Sequence, residues 1–314
     1  MKTLIVLVLT VSSLAIFKSY DFSANELLTK PNCNSKVIQQ SPINIHLGDS
    51  LYYDERNFRV LATNYTMNAA DFVWTALEEE RGVGFKGKFG NLTLMKDWAM
   101  YKFSLDKIVF RTESAHTIDG QRFSGEVEFI HSIIDDRELI GKYIYPTSNY
   151  LVYSVFLYAK PSIDISNYDS YSQLLTYLNL EGFEKNRTSG VISASRDVAL
   201  AEIIRHDDQL FYEGRLTSGN CEKAWHIINP KYQIISEDQF KNLTSILTKY
   251  DFITATEKSN TRTIQAVDAS TPIYRNKVNA GDIFIESSTL QLKGNSSFIS
   301  LNVLYFLGLL MIFI

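Results

Sequence analysis

The sequence predicts a mainly β fold in a single sheet-dominated domain, and three observations carry that reading. Stretches dense in β-branched and aromatic residues recur through the middle of the chain, while only two stretches show helical spacing of apolar residues. The 15 glycines and 6 prolines are dispersed, with no repeat, low-complexity tract or linker between them. A hydrophobic fraction of 45% is that of an ordinary globular protein, and because no linker divides the middle of the chain its 314 residues are read as one large domain rather than two small ones.

Taken in order, the chain opens with Lys2 and an apolar run from Leu4 to Phe17. This is the pattern of a secretory signal peptide, assigned to residues 1–19. Strands are expected at Lys107–Arg111, Phe123–Ile134, Tyr150–Ala159 and Lys223–Ile228, where β-branched and aromatic residues cluster. Tyr171–Leu180 places Leu174, Leu175 and Leu178 at helical spacing. A second helix is expected after Ser236, which forms a capping-box signature with Gln239 ahead of Phe240, Leu243, Ile246 and Leu247. The domain is assigned to residues 20–285.

Residues 286–314 form a polar spacer and a hydrophobic segment. Leu301 to Ile314 carries no charge and is short for crossing about 30 Å of hydrocarbon as one helix. Small residues at Ser287 and Ser288, the polar stretch Thr289 to Ser297 and the apolar tail fit a GPI-attachment signal. A C-terminal hydrophobic tail anchor is the alternative. Either one makes the membrane a partner. Sequons at Asn64, Asn91, Asn186, Asn242 and Asn295 fit a secreted glycoprotein. So do two cysteines, Cys33 and Cys221, a number that suits one disulfide outside the cytosol. The expected localisation is the secretory pathway and then the extracellular face of the plasma membrane. With 31 Lys+Arg against 35 Asp+Glu and no long basic run, no nucleic-acid footprint is visible.

Five short motifs say more. They are Gln40 to Ile45, Ser114 to Gly120, Gly125 to His131, Tyr212 to Ser218, and Asn260 to Gln265. In content and order they resemble the α-class carbonic anhydrases, over about residues 33 to 280. The resemblance implies a single domain with a large twisted, mostly antiparallel central sheet and peripheral helices. It also implies a Cys33–Cys221 disulfide, because secreted members pair cysteines at the matching positions.

Active members of that family hold zinc with a His-x-His pair on one strand and a third His on its neighbour. Period-two alternation sends residues i and i+2 to one face, and the open fourth position takes a water whose pKa falls to about 7. The five histidines here stand at 46, 116, 131, 206 and 226, and no two are two residues apart. The motifs put Val109, Arg111 and Glu128 at the ligand positions. Valine donates nothing and arginine brings a permanent positive charge. Thr217 matches the threonine that orients the zinc-bound hydroxide, yet its acidic partner is replaced by Ala115. The proton-shuttling histidine has no counterpart among Asn68, Ala69, Ala70 and Asp71. The resemblance is thus to a zinc-ligand-deficient, carbonic anhydrase-related member, with no cofactor expected and no metal.

His116, Glu126 and His131 are retained and are expected to tie strands together as buried framework, as are Trp225, Asn260 and Arg262. Arg111 is expected to pair with Glu128, with Glu126 as a further partner on the same face. The function expected is that of a catalytically silent cell-surface glycoprotein, a binding or adhesion module for an extracellular protein or glycan. Two alternatives stand beside it: a carbonic anhydrase (carbonate dehydratase or esterase) with an atypical metal site, and a structural surface-coat protein.

Overall fold

A computed structural model describes residues 33, 39–53, 58–66, 68–134, 147–161, 175–176, 178–185, 194–195, 200, 204, 208–254, 259–267 and 271–276. The signal segment, the C-terminal spacer and apolar segment, His206, and the sequons at Asn186 and Asn295 lie outside them. So does most of the helix expected over Tyr171–Leu180, although Leu175 and Leu178 are buried.

Strands dominate. In chain order they are β1 (Asn44–Ile45), β2 (Leu51–Tyr52), β3 (Phe58–Tyr65), β4 (Thr75–Leu77), β5 (Gly82–Lys86), β6 (Gly90–Lys96) and β7 (Ala99–Thr112). There follow β8 (Thr117–Ile118), β9 (Gly125–Ile133), β10 (Tyr150–Lys160), β11 (Gln209–Arg215), β12 (Lys223–Ser236) and β13 (Tyr274–Asn276). One large sheet runs β2-β13-β11-β12-β10-β9-β7-β5-β4, and β3 joins it through β6, which pairs with β7. Among the described residues, the β10–β12 and β13–β2 pairs of this sheet run parallel and its other pairs antiparallel. β1 and β8 form a separate parallel pair.

The sheet has two faces of different chemistry. Phe103, Ile108, Phe110, Val127, Phe129, Tyr153, Phe211, Trp225 and Ile227 pack into the main apolar core. The alternating neighbours of these residues, among them Val109, Arg111, Glu126, Glu128, Tyr212 and His226, project to the other side. β7 depends on one irregularity to achieve this. Its first part pairs with β6 and its second with β5, and the register with β9 shifts between Leu105 and Lys107. The extra residue, Asp106, resets the alternation, so that Leu105 and Ile108 both face the main core. Without that bulge Val109 and Arg111 would point into the apolar core. Asp106 is held there by Lys88 Nζ at 2.7 Å, Ser104 Oγ at 3.0 Å and the Ser132 hydroxyl.

Two strands are longer than the sequence suggests. β7 begins at Ala99 rather than Lys107, since the charge-rich Lys102–Lys107 stretch hides its alternation. β12 runs past Pro230 to Ser236; the register with β10 slips from Asn229 to Gln233, which takes the proline out of the ladder.

Helix α1 (Leu180–Lys185) starts at the last residue of the expected leucine helix. Helix α2 (Glu237–Lys249) has its capping box in full: Ser236 Oγ accepts from Gln239 N and Gln239 Oε1 accepts from Ser236 N, both at 3.1 Å. It buries Leu243, Ile246 and Leu247 against the main core. No helix among the described residues is long and apolar enough to cross a membrane.

Cys33 and Cys221 form the disulfide, with Cα atoms 5.2 Å apart. Arg262 braces the same corner: its guanidinium donates to Cys33 O at 2.5 Å, Gln40 Oε1 at 2.8 Å and Ser41 O at 3.0 Å. The bond spans a sequence separation of 188, and a loop of that size contributes roughly 5 kcal/mol in the chain-entropy model. Replacing both cysteines by serine is expected to cost up to that amount in urea unfolding; an unchanged midpoint would show that the bond adds nothing to stability.

Candidate functional site

The candidate site lies on the polar face of the sheet, where β7 and β9 run side by side. Val109 is paired in register with Glu128, and Arg111 with Glu126. Strand alternation therefore brings Val109, Arg111 and Glu128 to one face. The Arg111 guanidinium donates to Glu128 Oε2 from Nε at 3.0 Å and from Nη2 at 2.8 Å. Both side chains are out of solvent, Arg111 at 2% and Glu128 at 0% exposure. Thr217, just past β11, donates from Oγ1 to Glu128 Oε1 at 2.9 Å, so both carboxylate oxygens are engaged. Burial raises the carboxyl pKa of Glu128 above the usual carboxylate value, and the Arg111 charge offsets only part of that rise.

A turn closes over this pair. Glu78–Glu80 forms a single 3-10 turn between β4 and β5, and Glu80 is buried. The carbonyl of Glu80 accepts from Arg111 Nη1, and its carboxylate accepts from Lys107 Nζ at 2.6 Å and from the Ser218 hydroxyl. Gly219 N donates to Glu79 O at 3.3 Å, and Asn260 Nδ2 to Arg81 O at 2.8 Å. Burial works to raise the Glu80 pKa, but Arg111 and Lys107 hold it below the usual carboxylate value. Two cations and two carboxylates are thus interlocked, with Leu77, Val109, Ile130, Val152, Leu216 and Ala224 as an apolar cluster on the same face.

Glu126 does not extend the Arg111 pair as expected. His116 occupies it instead, with Nδ1 at 2.8 Å from Oε1 and the backbone N at 2.9 Å from Oε2. Burial alone would raise the Glu126 pKa; the His116 charge and these hydrogen bonds bring it down to about 2. His116 Nε2 meets the Tyr212 hydroxyl at 2.7 Å, and that hydroxyl donates to Ser41 Oγ at 2.8 Å. His226 Nε2 lies 2.8 Å from Arg215 O and 3.1 Å from Ser41 Oγ. Gly214 must be glycine here, because a Cβ would strike Ser41 Oγ and the Tyr212 ring. His131 faces the main core. Its Nδ1 donates to Phe129 O at 2.9 Å, which leaves Nε2 to accept from Tyr65 OH at 2.9 Å. Burial depresses the pKa of His131 to about 4 and that of His226 to about 3, since neither site tolerates an imidazolium.

Of the other sequence candidates, Thr217 joins the ion pair through Glu128, and Ala115 is buried. Asn68 caps the short turn Ala69–Asp71, accepting from Ala70 N at 3.1 Å, and Asp71 accepts from Thr66 Oγ1 at 2.7 Å. Of the described sequons, Asn64 is exposed and Asn91 and Asn242 are partly exposed. Sequence reasoning missed Glu80, because Glu78-Glu79-Glu80-Arg81 reads as a solvated charged turn.

Comparison with known proteins adds a family and a set of folds. The chain matches the eukaryotic-type carbonic anhydrase family over residues 25–274. No curated protein sequence matches it. Among solved structures it is similar to the α-carbonic anhydrase of Thermovibrio ammonificans in complex with the inhibitor sulfanilamide. That pair shares 18% identity and a TM-score of 0.55, over 81% of this chain and 92% of the other. A halotolerant carbonic anhydrase from Dunaliella salina gives 16% identity and a TM-score of 0.58, over 79% and 91%. Dioscorin complexed with ascorbate gives 19% and 0.57, over 82% and 94%.

Two outcomes are expected of this site. Arg111→Ala should destabilise the protein by about 3–5 kcal/mol in chemical denaturation, because it strands a buried carboxylate. The double change Arg111→Met with Glu128→Leu should recover most of that loss, and a single-variant loss under about 1 kcal/mol would contradict the pairing. The second outcome concerns pH. The unfolded chain protonates its imidazoles near pH 6.5, whereas folded His131 and His226 resist until about 4 and 3. Their contribution is therefore complete above pH 6.5 and shrinks as the pH falls toward 4, by about 1.4 kcal/mol per pH unit for each imidazole. Glu126 adds a loss only lower down, as the pH drops from 4.5 toward 2. Urea unfolding at pH 7, 6 and 5 reads the upper window, and equal stability at all three would refute the assignment.

Proposed function

The chain belongs to the eukaryotic-type carbonic anhydrase family, and from that membership we propose that it is a catalytically silent member, displayed as a binding or adhesion module on the cell surface. One observation carries the reading. Val109, Arg111 and Glu128, the positions the family resemblance assigns to the zinc ligands, meet on one face but offer a metal no usable set of donors. Valine has no donor atom, the guanidinium repels a cation, and the single carboxylate is engaged on both oxygens. Zinc does not fit this set. Among the described residues no group of three His, Cys, Asp or Glu side chains is placed to hold a metal ion.

The surroundings support the same reading. Thr217, which would orient a hydroxide, spends its proton on Glu128, and the Glu78–Glu80 turn seals the pair from above. The signal segment, sequons and C-terminal apolar segment favour the extracellular face of the plasma membrane, with a GPI anchor or a hydrophobic tail. A fold does not fix a function, and dioscorin, of similar fold, has been solved with ascorbate. An extracellular protein or glycan is the partner class that a silent, surface-held domain of this kind would serve.

The test is metal analysis and carbon dioxide hydration on protein purified from a secretory host. No stoichiometric zinc and no rate above buffer are expected, and sulfonamide-sensitive hydration would overturn the proposal. The triple change Val109→His, Arg111→His and Glu128→His should bind about one zinc where each single change binds none; failure of the triple variant, if folded, would count against the assignment of these three positions.

A further inference from the structure

Glu80 reaches the polar face from outside the strand ladders. It ends the 3-10 turn that forms the loop of the β4–β5 hairpin, where Leu77 is opposite Gly82. Its carboxylate is nevertheless buried, with a side-chain exposure of 6%. Two groups that the turn does not supply receive it, one on each oxygen. Lys107 Nζ, from β7, donates to Oε1 at 2.6 Å, and the Ser218 hydroxyl, from the loop after β11, donates to Oε2. Arg111 donates to the Glu80 carbonyl while holding Glu128 through two other N–H groups. The framework thus builds a receptor for one carboxylate, and a hairpin loop delivers that carboxylate.

The charges agree. Glu128 neutralises Arg111, which leaves Glu80 as the buried counter-charge of Lys107. Glu79 also lies 3.5 Å from Lys107 Nζ, but it is 77% exposed and screened by water. Without the Glu80 carboxylate, Lys107 would keep an unanswered positive charge and Ser218 a hydroxyl with no acceptor, a pair of donors that favours an anion of the right size. That size is set by what fills the site now, since beyond Cβ a glutamate side chain is an acetate. Lys107 is 22% exposed, so the site borders solvent at its ammonium. Apart from the Glu80 contacts, the loop is tied by Gly219 N to Glu79 O at 3.3 Å and by Asn260 Nδ2 to Arg81 O at 2.8 Å. It closes through Arg81 at a φ of 48°, a left-handed conformation that a residue other than glycine adopts only under constraint.

We propose that Lys107, Ser218 and Arg111 form a binding site for a small organic carboxylate, which Glu80 fills in cis as a tethered ligand. This rests on the reading of the domain as a binding module, and a free carboxylate enters the native chain only by lifting the loop. The test uses full-length Glu80→Ala, a change that deletes the equivalent of one acetate, with a chelator present throughout. Thermal unfolding is followed in sodium acetate and in sodium chloride of equal ionic strength. Acetate is expected to raise the midpoint of Glu80→Ala by about 2–4 °C above its value in chloride. The wild type, whose own carboxylate competes, should need about tenfold more acetate for the same shift. Adding Lys107→Met to Glu80→Ala removes both halves of the ion pair and should abolish the effect. Glu80→Gln, whose amide still fills the site, should not respond. A Glu80→Ala chain that folds in acetate and not in chloride would support the site equally. Equal midpoints in the two salts, or a variant that folds in neither, would overturn the proposal. So would an acetate effect that survives Lys107→Met, extends to Glu80→Gln or appears undiminished in the wild type. Zinc or hydration activity in the wild type would overturn the silent reading while leaving the acetate result standing, so the two fail separately.

Discussion

Everything at the site follows from the separation of the sheet into an apolar face and a polar one, and β7 holds that separation by a one-residue bulge at Asp106. Side chains alternate along a strand, so a residue that is out of phase carries its whole segment to the wrong face. Upstream of Asp106 the odd-numbered residues Tyr101, Phe103 and Leu105 enter the core, while downstream the even-numbered Ile108 and Phe110 do. Arg111 is delivered by this change of phase to a place where its charge can be met. An unneutralised guanidinium in the apolar core would cost more than the whole domain can spare.

Once delivered, Arg111 organises its neighbours. It meets Glu128 on the adjacent strand and the carbonyl of Glu80 above it, and Glu80 in turn gathers Lys107 and Ser218. Such a cluster adds little net stability compared with an apolar filling of equal volume, because desolvating the charges consumes the attraction between them. Its effect is on specificity: each member has one place to go. The neighbouring cluster of His116, Glu126, Tyr212, Ser41 and His226 works alike through hydrogen bonds that cross β9, β11 and β12.

Much of this was legible in the sequence, and the limits have physical causes. The capping box at Ser236 and Gln239 is local, and the structure has it in full. The motifs around His116, Glu126 and Tyr212 placed the polar face, and the pairing of Arg111 with Glu128 follows from positions two apart on neighbouring strands. The sequence offers Glu126 as a second partner of Arg111, because face alone cannot tell which of two groups reaches a carboxylate first; in the structure His116 does. Glu80 and Tyr65 were invisible, since their burial depends on contacts with Ser218 and His131, far away in sequence. Strand ends were misjudged where Pro230 and the charged residues around Asp106 break the pattern, and both places are register irregularities.

The pairing of β2 with β13 has a consequence for how the molecule is made. Leu51 lies against Tyr274, so the sheet's edge joins residues from near the two ends of the domain. During synthesis, β2 emerges more than 200 residues ahead of its partner, as their numbers show. Its backbone groups then have no strand to pair with until nearly the whole domain has been made, and non-local pairings of this sort close late and slowly. Completion of the sheet therefore waits for β13, and β2 is left as an open edge until then.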